Sequence, residues 1–189
     1  MGVLLRVVLP SVCMALLGAG SPPPAGSPPP AGSPPPAGSP AGRGPTVTRI
    51  HVKKSARKMD LFDGESLVAS YAVAVGRGGA GPKKKEGDNV TPVGRYKVVK
   101  HLPSHLRIFL QLDYPNADDR ARFEELKKRG DLPKNATIGG DIGIHGEPPE
   151  AKPFKKAEYQ SHGCVVLEDA EIDQVARLVS DGTSVEIED

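Results

Sequence analysis

Proline placement limits where this chain can fold: of its 20 prolines, eleven fall in residues 21–45. There the unit Ser21-Pro22-Pro23-Pro24-Ala25-Gly26 recurs at 27–32 and 33–38, then shortens to Ser39-Pro40-Ala41-Gly42. Proline has no backbone N–H and the repeat has no apolar face, so residues 21–45 cannot build a core. They are expected to be a disordered linker with local polyproline II character, reaching roughly 75 Å when extended at ~3.1 Å per residue. Such a segment serves as a spacer or as a tail freed by cleavage. The remaining stretch, residues 46–189, holds eight prolines. At about 144 residues it can bury roughly 68–70% of its unfolded surface around one core.

Residues 1–20 contain a single charge, Arg6, followed by an apolar run from Val7 to Leu17 and then Gly18-Ala19-Gly20. The run is shorter than the ~20 residues that span a bilayer. A short apolar run followed by small residues reads as a signal peptide, with an uncleaved N-terminal anchor as the alternative. Cys13 follows Val12, too large a residue for a lipidation site. The 25 basic and 23 acidic residues leave a formal charge of +2. With no block of basic residues, nothing points to nucleic acid, and membrane contact is expected only through an N-terminal anchor.

The folded part reads as mainly β. Val47, Ile50 and Val52 lie in a β-rich run, followed by Lys58–Phe62, a turn at Asp63-Gly64 expected to supply two positive-φ residues, and a return strand from Leu67 to Val75. Further strands are expected at Gly94–Leu102, Arg107–Tyr114, Asp141–Gly146, Gly163–Leu167 and Ser184–Glu188. One helix starts at Asn116, with Asp118 and Asp119 in its first turn and Gly130 as its stop. A second covers about Glu168–Ser180, with Ile172, Val175, Ala176 and Val179 on one face. Together these predict a β-sandwich or barrel with two peripheral helices.

Of the two cysteines, Cys13 would leave with a signal peptide, so Cys164 would stand alone in an oxidising compartment. A lone thiol in Ser161-His162-Gly163-Cys164 is a candidate nucleophile, and Gly163 leaves room for close backbone approach. A second glycine-bounded run, Gly139 to Gly146, presents His145. An imidazole beside a thiol can take its proton, and an ion pair between them lowers the thiol pKa. That pairing predicts fast alkylation of Cys164 below the ~8.5 pKa of a free thiol. The amides of Gly163 and Cys164 are the natural oxyanion donors.

These motifs carry a resemblance. Residues 46–189 resemble the L,D-transpeptidase catalytic domain (the YkuD family), whose signature is a histidine, a spacer, then Ser/Thr-His-Gly-Cys. Here His145 is followed by the fifteen residues 146–160 and then Ser161-His162-Gly163-Cys164. Gly81-Pro82-Lys83, Glu86-Gly87-Asp88, Thr91-Pro92-Val93-Gly94-Arg95-Tyr96 and Tyr114 to Arg120 resemble the subgroup related to YafK. Many members carry Arg or Asn where this chain has Val166; the YafK-like subgroup is apolar there too.

The resemblance implies that Cys164 attacks the third-residue carbonyl of a peptidoglycan stem tetrapeptide and releases the terminal D-Ala. His145 would be the base, oriented by a backbone carbonyl, that of Gly146, while Ser161, His162 and Tyr114 would contact substrate. An amine acceptor, such as a diaminopimelate side chain, would resolve the thioester, giving cell-wall cross-links or protein attachment. With water as acceptor the same site becomes an L,D-carboxypeptidase, or an amidase cutting the link between peptidoglycan and a wall-attached lipoprotein; members related to YafK are associated with that last reaction. An inactive wall-binding module is the reading from another class. No metal or organic cofactor is implied, and the location would be the periplasm or cell envelope.

Plainer readings stand beside these. Cys164 could be an inert buried thiol, or share a zinc ion with His145 and His162. His51, His101 and His105 read as surface residues, and Lys83-Lys84-Lys85 as a solvated loop.

Overall fold

The computed structural model describes residues 46–152 and 158–189. The expected signal peptide, with Cys13, and the repeat linker lie outside the described residues. In chain order the elements are β1 (Arg49–Lys53), β2 (Lys58–Asp63), β3 (Ser66–Ala72), β4 (Gly94–Ser104), β5 (Arg107–Leu112), α1 (Ala117–Lys128), β6 (Gly143–His145), β7 (Val165–Val166), α2 (Asp169–Leu178) and β8 (Ser184–Glu188).

The eight strands form one sheet in the order β3-β2-β1-β8-β4-β5-β6-β7. Strand β1 alternates inward Ile50 and Val52 with outward neighbours, and β8 does the same with Val185 and Ile187. The two run parallel, Ile50 beside Val185 and Val52 beside Ile187, so their apolar residues share the inner face. Beyond β3 the chain stays extended and makes single bridges to the far edge, Ala74 to Val166 and Gly76 to Ser161. The two outer strands of the sheet are thereby drawn together. The result is a curled half-barrel, which keeps both edges covered.

Two helices lie at its periphery. Asn116 caps α1: its side chain accepts from the amides of Asp118 and Asp119 at 3.0 and 3.1 Å, and Asp119 accepts in return from the Asn116 amide at 3.2 Å. Helix α2 inserts Ile172 and Val175, both fully buried, into the core. It ends two residues earlier than its apolar pattern suggests, because Val179 turns extended while its side chain stays in the core. The β2–β3 turn also differs from expectation. Its two residues are Gly64 and Glu65, and Gly64 alone has a positive φ, +56°, while Asp63 remains in the ladder opposite Ser66.

Candidate active site

The site is built where β6 and β7 run side by side. Their parallel register pairs Ile144 with Val165 and His145 with Val166, which brings the chain at Cys164 level with Gly143. Strands β6 and β7 are shorter than the sequence suggests, because the glycine-rich segments before each take irregular paths. Gly163 has φ +135°, which strains any side chain, and a Cβ there would sit tightly, 3.2 Å from the Val90 carbonyl and from the Ile142 side chain.

His145 is buried, 5% exposed, and stacks on Phe109 with ring centroids 5.8 Å apart. Gly143 makes that stacking possible, since a Cβ there would lie 2.5 Å from the Phe109 ring. Nδ1 of His145 lies 2.7 Å from the carbonyl oxygen of Gly146. A carbonyl only accepts, so Nδ1 carries the proton and Nε2 is left as the basic nitrogen. The Gly146 amide donates to the Leu106 carbonyl at 3.1 Å, which ties the β4–β5 hairpin tip to the histidine.

Cys164 is half-buried, and its thiol donates to the carbonyl of Asp141 at 3.6 Å. Asp141 holds that carbonyl in place with a positive φ of 52°, unusual for a residue with a side chain. Burial pushes the Cys164 thiol up to about 11, against a hydrogen bond from the Gly143 backbone and the Lys83 ammonium, which both pull it down. Burial likewise holds His145 below the ordinary imidazole value, partly offset by the bond to Gly146. Both shifts favour an uncharged thiol and imidazole at neutral pH, against the resting ion pair expected from sequence.

Ser161 is buried and ties the nucleophile's loop to itself. Its hydroxyl donates to the Cys164 carbonyl at 2.6 Å and accepts from the Gly163 amide at 3.1 Å. That leaves the Gly163 amide engaged, whereas the Cys164 amide donates to nothing among the described residues.

Cys164 and the exposed His162 line two cavities. One, about 200 Å³, also contains His145, Ser161, His105, Glu150 and Tyr159. The other, about 250 Å³, contains Lys83, Glu86, Asp141 and Ile142. Lys83 departs from the solvated loop expected of it: it is 6% exposed and its ammonium lies 2.5 Å from Asp88, which also accepts from the amides of Lys84, Lys85 and Val90. Tyr114 lies away from both cavities. Its ring is buried edge-on against Tyr96, and its hydroxyl donates to the Ile138 carbonyl at 3.2 Å. His51 and His101 face Glu188 and Asp181, at 3.2 and 2.7 Å, whereas His105 stands exposed at the cavity mouth. Among the described residues no three His, Cys, Asp or Glu side chains converge as a metal site. Tyr159, Glu150 and His105 carried no motif; Tyr159 stands two residues before Ser161, a proximity that could have drawn notice.

Residues 47–187 match the model of the YkuD family, the L,D-transpeptidase catalytic domain. The chain belongs to this family. Relatives agree. YafK of Escherichia coli K12 is 28% identical over 138 residues, covering 69% of this chain and 46% of its own length. Two solved structures share the fold: the helical cell shape determining protein Pgp2 of Campylobacter jejuni, with TM-score 0.57 and 24% identity over 76% of this chain and 48% of its own, and Bd1075 of Bdellovibrio bacteriovorus, with TM-score 0.51 and 22% identity over 76% and 48%. The chain thus spans about half the length of these relatives. The family model it matches describes a catalytic domain. No helix among the described residues is long and apolar enough to cross a membrane.

Proposed function

We propose that this chain is a peptidoglycan L,D-transpeptidase with Cys164 as nucleophile. The observation that carries the reading is the tautomer of His145: Nδ1–H is spent on the Gly146 carbonyl, so Nε2 is basic in a cavity that also contains Cys164. In the first half-reaction the thiol sulfur attacks the carbonyl carbon of the stem's third residue while its proton passes to Nε2 of His145. The carbon–nitrogen bond to the terminal D-Ala then breaks, and the departing amine takes that proton. In the second, an acceptor amine attacks the thioester and gives its proton to His145. The carbon–sulfur bond breaks and the thiol is restored.

Because the resting pair is neutral, the proton moves only as the sulfur bonds to carbon, which ties nucleophile formation to substrate. The unengaged Cys164 amide is the oxyanion donor. The Gly163 amide joins it only by giving up Ser161, a change from the paired donors expected from sequence. Ser161 then acts through the loop rather than on substrate, and His162, exposed on both cavities, contacts the peptide.

The second reading is the hydrolase expected from the sequence, in which water resolves the thioester and the enzyme is a carboxypeptidase or releases a wall-attached lipoprotein. Either reaction places the domain in the cell envelope, where a leader at residues 1–20 and a spacer at 21–45 would deliver and present it. Purified protein treated with a carbapenem should gain one covalent adduct by mass spectrometry, absent in Cys164→Ala. An adduct that survives this substitution, or none on the wild type, overturns the nucleophile assignment. Muropeptides incubated with and without an added amine then separate transfer from hydrolysis.

A further inference from the structure

The Tyr159–Ser161 segment walls the cavity of Cys164 on one side, and a third cavity lies against the same segment. This one, about 220 Å³, opens between the β1–β2 turn and the extended chain beyond β3, with Lys54, Arg57, Arg77 and Gln160 in its lining. Three lining side chains are cationic and one, Asp189, is anionic. Lys54 is buried and committed, its ammonium 2.6 Å from Asp189 and 3.0 Å from the Gly81 carbonyl. Arg57 donates to the Tyr159 carbonyl at 3.3 Å. Arg77 differs from both. Its amide is pinned to the Ser161 carbonyl at 3.0 Å, yet its guanidinium is exposed and has no partner among the described residues.

Tyr159, which lines the cavity of Cys164, feels both Cys164 and Arg77. The backbone that carries Arg77 cannot drift, because Gly76 is bridged to Ser161 and donates to the buried Thr91 hydroxyl at 2.8 Å. A guanidinium on a fixed backbone, with Arg57 on the same cavity, suits a carboxylate, which it can meet with two parallel hydrogen bonds.

We infer that Arg77 is a substrate-binding residue whose guanidinium takes a free carboxylate of the peptide that presents its carbonyl to Cys164. The inference rests on the cell-wall peptide reading above. Lys54 is neutralised by Asp189, so Arg57 adds the second positive charge on this cavity and Arg77 supplies the contact.

The test uses full-length Cys164→Ala protein, which cannot turn over, and isothermal titration with a stem tetrapeptide and with versions amidated at one carboxylate each. One amidation should weaken binding about tenfold, the loss of a charge-assisted contact. With Arg77→Ala added, the free peptide should already bind about tenfold more weakly, and that amidation should cost nothing more. Arg77→Lys should keep part of the discrimination. Equal affinity for all peptides, discrimination that survives Arg77→Ala, or no saturable binding overturns the inference; the amidated ligands keep it exposed to refutation even if a variant misfolds. Turnover of muropeptides by the wild type is measured alongside. Turnover without Arg77-dependent discrimination sinks the inference alone, whereas Arg77-dependent binding without turnover sinks the reaction and leaves the carboxylate site.

Discussion

The neutral resting state of Cys164 and His145 has a kinetic signature. With its pKa pushed up to about 11, only about one Cys164 in ten thousand is thiolate at pH 7. A free thiol near 8.5 is about three per cent ionised, so the thiolate fraction falls roughly 300-fold. A more basic thiolate is a better nucleophile, and a Brønsted coefficient of about 0.4–0.5 returns roughly tenfold of that loss. Cys164 should therefore react with a small aromatic disulfide about 20–30 times more slowly than a model thiol at pH 7. The assay is the pseudo-first-order rate from pH 6 to 9.5 in a Cys13→Ser background, which leaves Cys164 as the only thiol. The logarithm of the rate should rise with unit slope across the range, and His145→Gln should leave that slope unchanged. A plateau below pH 8, abolished by His145→Gln, would show a preformed ion pair and refute the argument from burial.

Two further outcomes follow from the same geometry. Ser161→Ala removes the partner of the Gly163 amide and of the Cys164 carbonyl; with the carbonyl partly reached by water, the loss should be about 2 kcal/mol and several degrees of melting temperature, and an unchanged Tm would refute it. Stability should peak between about pH 6.5 and 8.5: His145 is held below its unfolded value, so the unfolded state binds more protons and stability falls as pH drops below about 6.5, while Cys164 is raised, so stability falls as pH rises from about 8.5 towards 11. Melting scans against pH should therefore lose part of the acid limb in His145→Gln and part of the alkaline limb in Cys164→Ser, and limbs unchanged by both substitutions would refute the assignment.

What could be read from sequence was what local pattern controls. The alternation of Ile50 and Val52, and of Val185 and Ile187, is a period of two whichever strand lies beside it. The start of α1 was legible because Asn116, Asp118 and Asp119 act within one turn. Tyr114 and Lys83 were misjudged because distant partners decide their burial. Tyr114 is covered by Tyr96 and bonded to Ile138, and Lys83 is drawn inward by a loop folded around the Asp88 carboxylate. Arg77 carried no signal at all, since its place beside Ser161 depends on the bridge that closes the half-barrel.

The runs that accompany His145 and Cys164 in sequence have a physical reason for their company. A Cβ at Gly76 would meet the Asn89 carbonyl at 2.2 Å, the Thr91 amide at 2.8 Å and the Gly163 Cα at 3.0 Å. A Cβ at Gly163 would in turn sit tightly, 3.2 Å from the Val90 carbonyl. Three segments, around Gly76, around Val90 and through Ser161–Cys164, therefore meet backbone to backbone beneath the nucleophile. Thr91 is fully buried there and accepts from the Gly76 amide, while Asp88 accepts from the Val90 amide and holds the next turn. None of these contacts needs to touch substrate. They set where the thiol can point, towards the Asp141 carbonyl at rest, in a cavity shared with the basic nitrogen of His145. A floor made of backbone leaves little space for an added methyl group, so the glycines and the threonine set the geometry of the candidate site as fully as the thiol above them.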